Sequence, residues 1–113
     1  MTFERIHEIL SELQIPVTYY QFEEGTDVAP PFLCWYSPGS DGFYADNKVY
    51  AQLVEITIEL YTPDKRWDLE AQLEEILNAN ELPFAKTESY IDSEKLFLNT
   101  YETEVFINGT KQG

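Results

Sequence analysis

The most constraining feature of this chain is a strict alternation of side chains over residues 54–61. Apolar side chains alternate there with polar or tyrosine side chains, in the order Val54, Glu55, Ile56, Thr57, Ile58, Glu59, Leu60 and Tyr61. Successive side chains of a β-strand point to opposite faces of a sheet. The segment is therefore predicted to be a strand with one face in a core and the other towards water.

An amphipathic helix is predicted ahead of this strand, over residues 2–14. Thr2 can cap its first turn, and Pro16 ends it because the residue before a proline avoids helical angles. Its apolar residues recur at spacings of three and four, which places them on one face: Phe3, Ile6, Ile9, Leu10 and Leu13.

A second helix is predicted after the strand. Thr62-Pro63-Asp64 opens it, with Thr62 or Asp64 as the cap and Pro63 in the first turn. Residues 78–80, followed by Pro83, end it. Its buried stripe is expected to consist of Leu69, Leu73, Ile76 and Leu77. The acidic residues away from that stripe are expected on the solvated face: Glu70, Glu74 and Glu75.

Four further segments are predicted to be strands: residues 17–22, 32–36, 84–91 and 95–107. The nearly continuous apolar run 32–36 is typical of a strand that is covered on both faces, either within the fold or by a partner. Turn-forming residues predict a loop over 37–42 and a turn over 92–94. This order predicts an α+β fold, in which a mostly antiparallel sheet of about four to six strands carries two helices on one face.

The chain length fits one domain. Its 113 residues predict a single α+β domain over residues 1–107 and a flexible polar tail over residues 108–113. Aromatic residues make up 15% of the chain, which argues against disorder. Cys34 is the one cysteine, so an internal disulfide is excluded.

The charge balance excludes several kinds of partner. Seven basic residues against 21 acidic ones give a formal net charge of −14. Tight binding to nucleic acid needs basic residues that neutralise phosphates, and an anionic membrane surface needs them too. The apolar runs are far shorter than the roughly 18 residues of a membrane span, and we expect no secretion signal. Neither nucleic acid nor membrane is therefore an expected partner.

Candidate catalytic groups are few. His7 borders the apolar stripe of the first helix, and Cys34 lies in an aromatic strand, so both are interpreted as packing residues. The carboxylates group into sets that are interpreted as solvated loop charges: Glu23, Glu24 and Asp27; Asp41 and Asp46; Asp92 and Glu94. A pair of carboxylates of the glycosidase kind stays open, because their separation is not visible in a sequence. We predict no catalytic residue, no cofactor and no metal, and hence no enzyme.

Aromatic side chains are denser than a small core needs. Tyrosine and tryptophan are enriched at protein interfaces. Residues 42–51 follow a glycine-containing loop, and their aromatic side chains do not alternate strictly. They are either a mobile arm or hairpin tip, or an irregular strand start packed on its own sheet. The candidate interface residues are Trp35, Tyr36, Phe43, Tyr44, Asp46 and Tyr50.

The order of segments resembles a family of small phage proteins. The resemblance extends from Phe3 to Ile107 and rests on residues 15–17 (IPV), 30–32 (PPF), 45–50 (ADNKVY), 54–62 (VEITIELYT) and 86–94 (KTESYIDSE). These segments are similar to tail-completion proteins, also described as tail-terminator, minor tail or head–tail joining proteins, of long-tailed phages and prophages of Gram-positive bacteria.

The resemblance implies a structural role in virion assembly. Such a protein forms a ring, with a hexamer as the expected form, which caps the tail tube and joins it to the head. Its partners are other copies of itself, the tail tube protein and a head-completion protein. Its location is the tail of the virion, after assembly in the cytoplasm of the bacterial host. DNA passes through the ring without tight binding, and no active-site residues are implied.

Two other classes of function stay open. An acidic inhibitor that mimics DNA and occupies the basic groove of a nucleic-acid enzyme fits the size and the charge. A mimic should carry its carboxylates along one surface at phosphate-like spacing, whereas here they are spread along the whole chain. A small hydrolase or metal-dependent enzyme is the third class, and it lacks a nucleophile motif.

Overall fold

The computed structural model describes residues 1–23, 25, 27–45 and 48–108, and for residues 40–52 and 108 it describes the backbone alone. Two helices and six strands follow each other along the chain: α1 (Phe3–Ser11), β1 (Val17–Tyr19), β2 (Phe32–Tyr36), β3 (Ser40–Ala45), β4 (Lys48–Thr62), α2 (Trp67–Ala79), β5 (Phe84–Ile91) and β6 (Leu96–Asn108).

The six strands form one sheet in the order β1-β2-β4-β6-β5, with β3 paired to the first part of β4. All neighbours are antiparallel except β1 and β2, which run parallel. Strand β4 is the centre of the sheet, since β2 and β3 pair with successive parts of it on one side and β6 pairs with it on the other. The predicted α+β fold with a mostly antiparallel sheet is confirmed.

Both helices pack on one face of this sheet, as predicted. On β4 that face carries the apolar set of the alternating segment, which is at most 2% exposed. One core cluster joins these residues to both helices and to β2 and β6: Ile6, Ile9, Leu10, Leu13, Leu33, Trp35, Val54, Ile56, Ile58, Leu60, Leu69, Leu73, Leu77, Leu82, Tyr101 and Val105. We call the opposite face, on which no described helix packs, the open face.

The helix ends differ in how they are capped. The Thr2 hydroxyl accepts a hydrogen bond from the Arg5 N–H at 3.0 Å, which confirms it as the cap of α1. Helix α1 ends at Ser11 instead of residue 14. After Ser11 the backbone N–H groups of residues 12–14 donate to the carbonyl three residues earlier, and Gln14 has a φ of 63°, which is not helical. The predicted cap of α2 is wrong. Thr62 is buried in β4 opposite Phe97, so the helix begins only at Trp67, after Arg66.

Strands β1, β4 and β6 differ from their predicted bounds, and β3 was not predicted as a strand. Strand β4 extends from Lys48 to Thr62 instead of residues 54–61. Strand β1 ends at Tyr19 because Tyr20 has a φ of 70°, which breaks the extended backbone. Strand β3 begins at Ser40, inside the predicted loop, since backbone pairing with Val54 continues the sheet there. Strand β6 includes Asn108, which was assigned to the tail, and residues 109–113 lie outside the described residues.

Candidate interface

The two adjacent candidates Trp35 and Tyr36 lie on opposite faces of the sheet. Trp35 pairs in register with Ile58 on the helix-covered face, and it is only 3% exposed. Tyr36 pairs with Thr57 on the open face and is half-buried. Because neighbouring strand residues alternate between faces, these two side chains do not contribute to one contact patch.

Trp35 is enclosed by side chains of its own chain. Its indole Nε1–H donates to Nδ1 of His7 at 3.0 Å. The Phe3 ring stacks on it at 6.4 Å between centroids, and the Tyr19 ring meets it edge-on at 4.7 Å. Phe3 and Tyr19 are 39% and 49% exposed and line a groove of about 390 Å³ with His7 and Glu4. A partner at this place would therefore touch Phe3 and Tyr19 first, with Trp35 beneath them.

Tyr36 belongs to a ring cluster on the open face. The rings of Tyr20 and Tyr36 meet edge-on at 5.8 Å, Phe22 and Phe32 do so at 5.3 Å, and Phe32 lies 5.1 Å from Tyr61. We call these five residues the aromatic patch. Tyr20 is 64% exposed, and the other four are half-buried. The segment after β1 thus covers part of β2 on this face, with Phe32 and Tyr36 left half-buried, and cover by a partner stays a prediction.

Glu59 fixes two rings of the aromatic patch. The Tyr61 hydroxyl donates to its Oε1 at 2.9 Å, and the Tyr36 hydroxyl approaches its Oε2 at 3.5 Å. Burial and the neighbouring Glu59 carboxylate raise the pKa of both tyrosines, so both hydroxyls stay protonated donors. The Glu59 carboxylate therefore orients two rings of the aromatic patch, because one of its oxygens faces each tyrosine hydroxyl.

The other candidates belong to the paired strands β3 and β4. Phe43 pairs with Ala51 and Tyr44 with Val49, with a register shift between Phe43 and Tyr44. Tyr50 lies in the first part of β4, and Asp46 lies outside the described residues. The described backbone is a two-stranded extension of the sheet with an irregular register, so the hairpin tip and the irregular strand start both stay predictions. Whether its aromatic side chains make an interface stays a prediction.

A second part of the open face is acidic. Glu55 on β4 lies directly opposite Glu104 on β6, and Thr57 lies opposite Glu102. Glu55, Glu102 and Glu104 are exposed, and all three line a groove of about 580 Å³. Like charges that face each other across two strands destabilise the pair. The open face therefore has an aromatic part beside β2 and an acidic part beside the start of β5.

One charged cluster was missed by the sequence analysis. Glu70, predicted on the solvated face of α2, is only 2% exposed, so that prediction is wrong. Lys65 donates to its Oε2 at 2.6 Å and Lys86 to its Oε1 at 2.8 Å, while buried Asn99 donates at 3.2 Å. Glu70 is three residues before Leu73 and seven before Leu77, so it shares their helical face, and this spacing could have revealed its burial.

The electrostatics of this cluster favour the ionised pairs. Burial raises the pKa of the Glu70 carboxyl, but the hydrogen bonds from Lys65 and Lys86 outweigh burial and lower it overall. Glu74 accepts from Lys86 at 2.7 Å and from the Tyr101 hydroxyl at 2.8 Å. The cluster joins α2 to β5 and β6, and its role is to hold the helix against the sheet.

His7 and Cys34, which could in principle act as a base and as a nucleophile, are both used in packing. Nδ1 of His7 already accepts the hydrogen bond from Trp35. Cys34 is 6% exposed, and burial together with the Glu59 charge raises the pKa of its thiol to about 11, so the thiolate is suppressed. Within the described part of the chain, no group of three His, Cys, Asp or Glu residues could hold a metal ion. Glu24 and Asp46 lie outside that part.

Among the helices that the structure describes, none has the length and apolar content to cross a membrane. No known family model matches this chain, and no curated protein sequence matches it. What the protein does is therefore inferred from its residues and from their arrangement in the fold.

Proposed function

We propose that this protein is a structural tail-completion protein of a long-tailed phage or prophage, which caps the tail tube and joins it to the head as a ring. It acts in the virion tail after assembly in the host cytoplasm. Its partners are further copies of itself, with a hexamer as the expected ring, the tube protein and a head-completion protein. The resemblance of the sequence to that family is one support for this proposal.

The presence of two dissimilar surfaces is the observation that carries the proposal. A closed ring requires that each subunit offers two different patches, which meet in a head-to-tail manner. The aromatic patch on the open face includes Tyr20 and Tyr36, and the groove beside Trp35 exposes Phe3 and Tyr19 at the edge of the helix layer. These two aromatic surfaces are different patches on opposite faces of the sheet, and two different patches are what head-to-tail contacts need.

The paired strands β3 and β4 are a further support. Strand β4 is 15 residues long, and its first part pairs with β3 beyond the region where β2 pairs. Phe43, Tyr44 and Tyr50 lie on this extension. A strand pair that reaches past the rest of the sheet can contact a neighbouring subunit or the tube, and aromatic residues are the common anchors of such contacts.

A non-enzymatic role is part of the same proposal. His7 and Cys34 are the groups from which a base and a nucleophile would come. His7 is bonded to Trp35, and the thiol of Cys34 has a pKa of about 11. The Cys34 thiol is therefore poorly suited to nucleophilic work near neutral pH, and Nδ1 of His7 is already used in a hydrogen bond to the core.

The acidic inhibitor that mimics DNA is the second candidate, and the acidic part of the open face favours it. Glu55, Glu102 and Glu104 lie together on two neighbouring strands. Three carboxylates in one groove are short of the long regular row of charges that a duplex presents. An inhibition assay with a panel of nucleases and DNA-binding enzymes separates the two functions, since a tail protein should leave all of them active.

Labelling of virions tests the proposal directly. Gold-labelled antibodies against this chain, applied to purified particles and to tails detached from their heads, should mark the head-proximal end of each tail. Antibodies against the tube protein, which should mark the whole length, are the control. Purified particles that contain the tube protein but not this chain would contradict the proposal.

A further inference from the structure

Strand β5 forms one edge of the sheet. Among the described strands only β6 pairs with it, so every second residue of β5 directs its N–H and C=O groups away from the sheet. The strand spans eight residues without proline or glycine, its register with β6 has no shift, and residues 85–90 are exposed. A regular exposed edge of this kind offers backbone hydrogen bonds to an added strand.

The charged side chains of β5 lie on one face of the sheet. Lys86 bonds to Glu70 on α2, so it belongs to the helix-covered face. The same face carries every second residue of the strand: Phe84, Lys86, Glu88 and Tyr90. Between residues 85 and 89 the open face carries small side chains: Ala85, Thr87 and Ser89. The order of charges along the helix-covered face therefore decides which strand can pair with this edge.

That order is complementary to itself when the strand is turned end for end. If Thr87 lies opposite Thr87 of a second copy, Lys86 faces Glu88 of that copy and Phe84 faces its Tyr90. Opposite charges and aromatic rings directly across two antiparallel strands stabilise the pair. Registers shifted by two residues that keep the same faces place two lysines or two glutamates opposite each other, so the charges favour one register.

An exposed tryptophan lies beside this edge. The Lys65 amine bonds to Glu88 on β5 and lies 5.6 Å from the centre of the Trp67 ring. Trp67 is 73% exposed, and Tyr90 on the strand itself is 46% exposed. Aromatic side chains of this kind are enriched in protein interfaces. The edge thus combines free backbone groups, a self-complementary order of charges and exposed aromatic rings.

The net charge of −14 does not prevent two copies from meeting here. At a salt concentration of about 0.15 M, charges are screened over a distance of about 8 Å. The shortest dimension of the molecule is 23 Å, so most charges of one copy lie beyond this distance from those of the other. Groups in direct contact across the pair are screened much less, and their complementarity therefore decides the outcome.

We propose that β5 pairs with β5 of a second copy, antiparallel and about a two-fold axis at Thr87, so that the two sheets become one. Backbone hydrogen bonds supply the affinity, and the facing Lys86 and Glu88 side chains set the register. Both copies use the same surface, so this contact is distinct from the head-to-tail contacts of a ring. It stands independently of the assignment to phage tails.

Sedimentation equilibrium of the full-length protein tests for the pair. At about 0.15 M salt, the mean molar mass should rise from one chain towards two as the protein concentration increases from about 1 to about 200 µM. Amides of residues 85–90 should exchange more slowly at the high concentration. Acrylamide should quench the fluorescence of exposed Trp67 less there, while Trp35, which is 3% exposed, is shielded at both concentrations.

Substitutions at Thr87, which is exposed on the open face, test the axis. Thr87→Lys and Thr87→Glu each place like charges opposite each other and should weaken the pair about fivefold or more, whereas an equimolar mixture of the two should pair within about twofold of the wild type. Gln21→Lys and Gln21→Glu make the same charge changes on an exposed residue beyond β1, at the opposite edge of the sheet, and should pair as the wild type does.

Several outcomes would overturn the proposal. One is a single chain at every concentration. Another is a dimer that both Thr87 variants retain, or one that their mixture does not restore, since pairing in the mixture also shows that both variants fold. A larger assembly that neither Thr87 variant weakens would assign self-association to other surfaces, and would overturn this contact while leaving the proposed ring.

Discussion

At the scale of single residues, the buried carboxylate of Glu70 links α2 to the sheet. It accepts hydrogen bonds from Lys65, Lys86 and Asn99, which come from the loop before the helix and from two strands. A buried carboxylate is tolerated only when such partners replace the water it has lost.

Glu70→Gln keeps the shape of the side chain but removes its charge. The variant should lower the free energy of unfolding by about 2–3 kcal/mol, less than for a fully buried pair because Lys65 and Lys86 keep Glu88 and Glu74 as partners. Urea unfolding measures the change. Glu75→Gln, exposed on the same helix, is the control and should stay within about 0.5 kcal/mol. Equal losses in both variants would contradict the assigned role of Glu70.

The Glu70 link also has a pH signature. The pKa of Glu70 is lower in the folded protein than its ordinary value of 4.5. Its contribution is therefore present above about pH 4.5 and is lost as the pH falls through the lower, folded-state pKa. Below pH 4.5, the stability of Glu70→Gln should fall less steeply than that of the wild type.

Cys34 should be almost unreactive while the protein is folded. With a thiol pKa of about 11, the thiolate is scarce at pH 8, and a thiol reagent should react roughly 100-fold more slowly than it does with the urea-unfolded chain. Because folding raises this pKa from 9.0, the contribution of the protonated thiol is present below about pH 9 and is lost as the pH rises towards 11. Similar rates for folded and unfolded protein would show that the site is open.

At the scale of elements, helix α1 depends on a cap that the sequence made visible. Thr2→Ala removes the acceptor for the Arg5 N–H and should lower the free energy of unfolding by about 1 kcal/mol. Thr2→Ser keeps a hydroxyl at the same place and should restore most of the loss. Thermal or urea unfolding of the three proteins provides the comparison, and an unchanged Thr2→Ala variant would contradict the capping role.

Regular elements could be predicted because their signals are local. The strand over residues 54–61, helix α1 and the Phe84–Ile91 strand need only nearby residues to be recognised, and all three elements are confirmed. Two side chains differ from the predicted pattern, since Phe3 is 39% exposed and Thr57, expected towards water, is buried. The start of α2 could not be predicted in the same way. Thr62 is of a residue type that favours helix caps, but its pairing with the distant Phe97 holds it in the sheet.

The site was less predictable than the elements, since its features depend on which faces the fold brings together. Trp35 and Tyr36 are adjacent in sequence, yet one is buried under α1 and the other joins the open face. The burial of Glu70 could be predicted from its helical spacing to Leu73 and Leu77, but its ion pair with Lys86 on β5 could not. The side-chain faces of β2 and the pairing across α2 and β5 become visible only once the strand order and register are known.

At the scale of the whole molecule, the sheet separates two kinds of surface. One face is covered by both helices and holds the core, while the other carries the aromatic patch and the acidic groove without a described helix over them. Under the proposed assembly role, the part of this face on which no described helix packs would contact partner subunits. The proposed assembly role is the account that uses both faces.

Electron microscopy of particles from a phage or prophage that lacks this gene is the most direct test of that role. Without a cap, the tube has no defined end, so the account predicts tubes of abnormal and variable length together with heads that carry no tail. Supplying the wild-type protein from a plasmid should restore joined particles with tails of uniform length. Normal, joined and infectious particles in the absence of the protein would contradict the account.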